Sequence, residues 1–418
     1  MIRFSNINLK IKQILQYTMA NKIKFANIKK ESYSQKYGRE KKDNKYIRWG
    51  ADNAYPNYLI ELYNHSSTHA ACVNAITEAI KGEGLTSDKE FALDRANKYE
   101  SWNDLYNKVA LDYKLFGGFA LEIIYSKDRS RISEVYHIDF SYIRAKQKNY
   151  RNICPGYFIY DEWATTHRID NIVNLDDMPY LPVFNPENRV DEPKQIFVHQ
   201  PYSPGKQYYP LPDYASGTKV IDLDQEVDNF HLNNIMNGLT PSLSITTFTN
   251  ATDDERAATE LMLREQYSGT NNAGNLMYID VDDPANAPVI TPINQNGGDT
   301  YYTTVNDMVV QKILTAHRIT SPALLGIKEN TGLGNNADEL ETAYRLFLNT
   351  VVLPFQQSIL SCFEVILGYN YDDITVGVIQ KNPLYEGELD SEAEVVTSQE
   401  ADVEEVAEIE EQVETTLE

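Results

Sequence analysis

The sequence predicts an α+β fold. Apolar residues recur at helical spacing behind recognisable capping signals. Short alternating stretches flank compact turns, as β-hairpins require. Hydrophobic residues make up 42% of the 418-residue chain and charged residues 24%. That is enough apolar side chain for a sizeable core, which excludes wholesale disorder. At roughly 150 residues per domain, the length predicts two or three domains or one elaborate one.

Along the chain, Asp52-Asn53-Ala54-Tyr55-Pro56 is a turn that opens a helix. Leu59, Leu62, Tyr63, Val73, Ile76 and Ile80 continue its spacing, and Gly82 and Gly84 end it. Ser101 and Asp104 have capping-box spacing. The helix they start carries Trp102, Leu105, Val109 and Phe116 on one side and stops at Gly117-Gly118. Phe119–Tyr125 and Ile132–Ile138 read as a hairpin around Asp128-Arg129-Ser130. Shorter strands are predicted at Tyr157–Tyr160 and Ile196–His199, with 201–216 as loop. The spacing then predicts a helix over Gly217–Asn237 with Val220, Leu223, Val227, Phe230 and Met236 inward.

Leu243–Phe248 alternates like a strand. Thr252 and Glu255 cap a short helix reaching Tyr267. Asn275–Val281 and Pro288–Ile293 read as strands, and Tyr302, Val305, Val309, Ile313 and Ala316 mark a helix over 299–319. After a loop, a long helix begins near Asn336 with Glu339 at N3. Its stripe runs Leu340, Phe347, Val351, Phe355, Ile359, Phe363 and Ile366, and Gly368 closes it. About thirty residues give roughly 45 Å. Pro354 inside it should kink it, because proline lacks the backbone donor and clashes with the preceding turn.

Charge is uneven. Residues 1–48 carry +10 and residues 386–418 carry −14 with no Lys or Arg; the whole chain carries −23, so 49–385 carries −19. Such a body repels a polyanion rather than gripping it. The basic head fits either a solvated arm or a nucleic-acid contact. The tail reads as disordered or as a marginal acidic helix over Val403–Val413. Cys72, Cys154 and Cys362 are far apart, which argues against a disulfide framework or cysteine-rich zinc site and for a reducing compartment. No long uninterrupted apolar run predicts a transmembrane helix, and Met1–Lys12 is too polar for a signal peptide.

Catalytic patterns are weak. His65 and His69 have i, i+4 spacing, but Ser66 stands where a metalloprotease needs Glu, so they read as surface or interface histidines. Gly332-Leu333-Gly334 begins like a phosphate loop but has no preceding strand and no P-loop Lys. Asp280, Asp282 and Asp283 lack calcium-loop spacing and read as a solvated turn. No catalytic residue, metal or cofactor is expected. The 29 tyrosines suit half-wet contacts between subunits or reflect composition bias.

Four stretches in order resemble the portal proteins of tailed bacteriophages. Ile319-Thr320-Ser321-Pro322-Ala323-Leu324-Leu325-Gly326 is similar to the family's "V-P-P-x-L-L-G", with Ser321 in place of the first proline. Leu348 to Pro354 looks like its "tl-x-P" segment. Tyr113 to Ala120 resembles "Y-x-L-x-G-N-A-F", with Gly118 where Asn is common, and Asn237 to Leu243 resembles "N-G-x-x-P-x-G-V-L". The resemblance covers roughly 50–370. It implies a ring, typically dodecameric, at one capsid vertex, through which double-stranded DNA is packaged and ejected. It implies a basic arm over 1–48, a wing over 49–250, and stem helices over 251–268 and 299–319. The clip would be 269–298, the tunnel loop 320–336 and the kinked tunnel helix 337–368, on the wing and crown side. Residues 369–418 would be a reduced crown and the acidic tail.

The same resemblance puts Lys328, Asn330, Thr331, Gly332, Gly334, Asn335 and Asn336 nearest the DNA and Pro354 at the tunnel-helix kink. It gives Asn275, Asp280, Asp282, Asp283 and Pro284 to contacts with the motor or connector. Lys312, Arg318 and Lys328 would form a weak cationic ring, or be ordinary exposed charge. The implied partners are further copies of the chain, the major capsid protein, the terminase large subunit and head–tail connector or adaptor proteins, with no membrane. The implied location is the virion, after assembly in the bacterial host cytoplasm. The alternatives are a monomeric virion adaptor that binds DNA through its basic head, and a hydrolase.

Overall fold

Asn53 sets the first corner of the fold. Its backbone is left-handed, with φ 66°, which asparagine tolerates better than most residues. Its Oδ1 accepts the Trp49 N–H at 3.1 Å and Arg144 Nε at 2.6 Å. The structure is a computed structural model describing residues 40–42, 46–50, 52–163, 178–237, 243–247, 252, 257–259, 276–280, 298–319, 321–325, 337–381 and 395–397. All lie in one unit, Ser34–Glu418.

Strands β1 (Glu40–Lys42) and β2 (Ile47–Trp49) pair antiparallel. Tyr46, Ile47 and Trp49 are buried, and Trp49 stacks on Tyr209 at 4.5 Å. The basic arm predicted over 1–48 therefore cannot reach 48: its last residues belong to the core.

The helix expected from Tyr55 to Lys81 is two, α1 (Tyr55–His65) and α2 (Ser67–Lys81). Ser66 breaks it because its extended backbone lets Oγ accept the His69 N–H at 3.1 Å, a local bond that serines favour at an N-cap. The same Oγ donates to the buried Asp224 carboxylate at 2.7 Å. Ser66→Ala removes both bonds. It should cost about 1–2 kcal/mol in a urea unfolding titration.

Gly82 ends α2 with φ 56°, and a Cβ there would lie 2.3 Å from the Ile379 carbonyl oxygen, so only glycine fits. Next comes β3 (Gly84–Ser87), then α3 (Trp102–Phe116), whose N-terminus is the Ser101–Asp104 capping box and whose C-cap is Gly117 in the left-handed conformation. Strands β4 (Phe119–Tyr125) and β5 (Ile132–Ile138) form the expected hairpin. Strands β6 (Ile143–Ala145), β7 (Gly156–Ile159) and β8 (Tyr180–Pro182) make a second antiparallel sheet, and β9 (Lys194–His199) pairs with β4.

Helix α4 (Thr218–Asn237) occupies the expected span, and Val220 packs against the core as expected. Thr218, Ile221 and Asp224 are buried, whereas Leu223 is 40% exposed. Strand β10 (Leu243–Thr247) pairs in parallel with β11 (Leu276–Asp280). This joins a stretch expected in the wing to one expected in the clip. A parallel pair requires a crossover connection, usually helical. Within 248–275, residues 257–259 are helical. Helix α5 (Gly298–Ala316) packs along α4.

Helix α6 (Ala337–Phe347) runs through a π turn at Leu348–Val352 into α7 (Leu353–Leu367). Where the sequence predicts a kink at Pro354, a widened turn stands immediately before that residue, at which the missing proline N–H breaks no regular α-helical bond. Among the described residues, Glu341–Leu367 is long and apolar enough to cross a bilayer, which the sequence did not predict. Its Val351, Phe355, Ile359, Phe363 and Ile366 are buried in the chain's own core.

Strand β12 (Val376–Ile379) pairs with β3 and with β13 (Val395–Thr397). Part of the stretch expected as crown thus completes the sheet beside α2 and α3. Part of the acidic tail is a strand rather than disorder or helix. Val403–Val413 lies outside the described residues. The three cysteines are free thiols.

The core is layered. Helix α3 packs on β3, β4 and β5 and against α1, α2 and α7. Gln356 ties α7 to α2, donating to the Ile80 carbonyl at 3.0 Å. The chain is a mixed helix-and-sheet protein, as the sequence predicts.

Candidate functional site

The stretch expected as a loop over 320–336 follows the end of α5; of it the structure describes 321–325, and the residues at the end of α5 form a buried polar cluster. Helix α5 turns its end inward because Val309, Ile313, Leu314 and Ile319 are buried. The helix closes through Arg318 at φ 59°, with the Ile319 N–H on the Leu314 carbonyl at 2.9 Å. A short 3-10 turn, Pro322–Leu325, follows and packs near α2 and α6.

His317, fully buried, meets the fully buried His69 of α2, with Nε2 2.9 Å from His69 Nδ1. One ring donates and the other accepts. The Tyr214 ring stacks on His317 at 4.9 Å and lies edge-on to His69 at 4.6 Å. His69 Nε2 and His317 Nδ1 have no hydrogen-bond partner among the described residues. Burial lowers the His69 pKa to about 3, helped by Lys114; burial, with Lys114 and then His69, holds His317 well below its ordinary value. Both rings are therefore neutral at physiological pH. The sequence reading of His69 as a surface histidine is overturned, because the break at Ser66 turns it inward. His65 is exposed as expected.

Lys114 of α3 is fully buried and pairs with both Asp213 oxygens, at 2.8 and 2.9 Å. Burial lowers its pKa, opposed by the Asp213 carboxylate. Asp213 Oδ2 also accepts Arg318 Nη2 at 3.2 Å. Arg318 Nη1 donates to the Thr350 carbonyl at 3.3 Å, inside the π turn. One chain of contacts thus links α3, the 201–217 segment, the end of α5 and the irregular turn of the long helix. The Arg318 side chain is half-exposed, in keeping with the reading as ordinary exposed charge, and it also ties Asp213 to the Thr350 carbonyl at this junction. The sequence carries no signal for the His69–His317 pair, whose members lie 248 residues apart.

Lys328, Asn330, Thr331, Gly332, Gly334, Asn335 and Asn336 lie outside the described residues, as do Asn275, Asp282, Asp283 and Pro284. Asp280 is the last residue of β11, and Pro354 is the second residue of α7. Lys312 is exposed on α5.

A serine–histidine contact was not legible in the sequence. Ser358 Oγ lies 2.8 Å from His199 Nε2. The other ring nitrogen faces Cys362 Sγ at 3.3 Å, where a hydrolytic triad has a carboxylate that fixes the tautomer. Burial lowers the His199 pKa to about 4, too acidic for an efficient base near neutrality. The contact joins β9 to α7. Among the described residues no three His, Cys, Asp or Glu side chains group as metal ligands.

The sequence matches no protein-family model and no curated protein. Solved structures do match. A chain of the virion of a native gene transfer agent particle aligns at a TM-score of 0.51 and 15% identity, covering 79% of this chain and 84% of that one. A chain of the neck of an empty gene transfer agent particle, computed with C6 symmetry, aligns at 0.51 and 15%, covering 76% and 81%. The likeness is one of fold: across most of both lengths, this chain shares its architecture with chains of a gene transfer agent virion and neck.

Proposed function

We propose that the chain is the portal of a phage-like particle, a ring at one capsid vertex through which double-stranded DNA enters and leaves. The observation that carries this reading is the fold shared over 79% of the chain with a chain of a gene transfer agent virion. The role is structural, with the nucleotide chemistry supplied by a separate terminase large subunit. The further partners are other copies of the chain, twelve in the family it resembles, the major capsid protein and the head–tail connector proteins. The ring is assembled in the host cytoplasm and resides in the virion.

The packing of the helices favours a revised assignment of parts. The stem is Thr218–Asn237 with Gly298–Ala316, which pack together. The clip is the parallel pair Leu243–Thr247 and Leu276–Asp280 between them, and 251–268 belongs to its crossover. The 320–336 loop is the tunnel loop, and the buried cluster at its root holds the stem to the wing. An acidic wall suits a conduit, since phosphate contacts from Lys and Arg would grip DNA with a strong salt dependence.

Light scattering and negative-stain imaging test the reading. A ring of many copies with a central hole is expected. A monomer of 47.7 kDa that persists with scaffold and capsid partners present would sink it. Gly332→Val and Gly334→Val are expected to lower packaged DNA per particle with ring assembly intact, measured by nuclease protection.

A further inference from the structure

The hairpin of β6 and β7 carries a basic, aromatic surface on an otherwise acidic body. Segments 140–160 and 193–212 together hold six Lys and Arg, five of them outside the core because Arg144 is buried, and no Asp or Glu, although 49–385 carries −19. The two segments meet where the Lys148 N–H donates to Tyr208 Oη at 3.2 Å. Three cations there sit over rings: Lys146 Nζ is 4.7 Å from the Tyr180 centroid, Lys148 Nζ 5.1 Å from Tyr208, and Arg151 Cζ 5.4 Å from Tyr150. Apolar surface lies beside them, with Tyr150 90% and Ile153 56% exposed. The turn that presents these residues is ordered by Asn149, whose backbone N–H donates to the Ile153 carbonyl at 2.9 Å.

We propose that this hairpin is the docking surface for an acidic amphipathic segment, residues 398–418 of this chain. That segment holds nine Asp and Glu and no Lys or Arg. Val403, Val406, Ile409, Val413 and Leu417 recur in it every three or four residues, the spacing of one helix face. Its carboxylates match cations already held over rings, so little side-chain entropy remains to be lost on binding. Its apolar stripe matches Ile153 and Tyr150, which a phosphate backbone would leave unused. Single-stranded nucleic acid would need bare aromatic faces for stacking, and here Lys146 and Lys148 cover Tyr180 and Tyr208. The proposal stands independently of the portal reading.

Carbodiimide crosslinking of the full chain, mapped by mass spectrometry, tests it, because the reagent joins lysine amines to carboxylates in contact. Crosslinks from 398–418 should concentrate on Lys146 and Lys148. They should fall at least about fivefold on raising salt to about 1 M, where the Debye length is only about 3 Å. Arg151→Glu combined with Ile153→Asp leaves both lysines in place and should lower those crosslinks at least about threefold, with the circular dichroism unchanged. Crosslinks spread evenly over all lysines, or unaffected by that double variant, would overturn the proposal. So would their abolition by a short DNA duplex whose affinity the same variant lowers, which would make the surface a nucleic-acid site.

Discussion

Asp213→Ala is expected to destabilise the chain by about 3 kcal/mol, because it strands a buried ammonium. Lys114 is fully buried, and Asp213 is the carboxylate on its Nζ. The Asp213 side chain is itself 20% exposed, so the cost comes from the lysine left behind rather than from a desolvated pair. The Tyr214 and Phe355 rings, 5.7 and 5.5 Å from Nζ, cannot replace the lost carboxylate. Lys114→Met alone should cost less, and adding it to Asp213→Ala should restore most of the loss, since methionine needs no partner. Urea unfolding of the three variants checks the cycle. Additive losses would show that the two residues act separately. Asp213→Ala also frees Arg318 and with it the tie to the Thr350 carbonyl, so local proteolysis at the 320–336 loop should quicken.

Acid is expected to unfold the chain well above the carboxylate range. His69 and His317 are held neutral in the folded state, with His69 pushed down to about 3 and His317 also held well below its ordinary value by burial and Lys114. Unfolded, each binds a proton near pH 6.5. The unfolded state therefore binds more protons below that pH, so stability is full above it and falls as pH drops toward the folded values. Between pH 7 and 5 the loss from His69 is about 2 kcal/mol, and His317 adds to it in the same direction. Inside the fold the charged groups facing the pair are Lys114 on α3 and Asp213 beside it. Lys114 opposes protonation and the Asp213 carboxylate favours it. His199, lowered to about 4, adds to the same slope. Asp112 and Asp224, raised by burial, act in the opposite sense. Denaturant midpoints measured across pH 5 to 7, for the native chain and for His69→Gln with His317→Gln, separate these contributions. A slope unchanged in the double variant would assign the acid sensitivity elsewhere.

The tyrosines show how far composition carries an argument. Their number suggested either contacts between subunits or composition bias, and Tyr99, Tyr150 and Tyr202 are more than three-quarters exposed. Others are internal props. Tyr106 donates to the Ile80 carbonyl at 2.7 Å, Tyr214 to Leu115 at 2.6 Å, and Tyr209 to Ile47. A buried ring with a hydroxyl at its tip can close a backbone end that no helix or ladder satisfies. Nothing in a count distinguishes those from exposed rings.

What the sequence determined by itself is local. The Ser101–Asp104 box, the hairpin around Asp128, the end of α3 at Gly117 and the disturbance at Pro354 all follow from neighbours within a few residues, whose bonds are the same in any fold. Tertiary structure decided the rest. Ser66, which caps the second of two helices, can bury its hydroxyl because Asp224, 158 residues away, is there to accept it. The inner face of α4 runs through Asp224 rather than Leu223 because that carboxylate has a partner. Lys114 is buried because Asp213 lies 99 residues on. The parallel pairing of β10 and β11 follows from the path of the chain between them, which periodicity does not record. A polar residue in water costs the same wherever it stands in a sequence; what it costs inside a protein depends on the partner that folding brings to it.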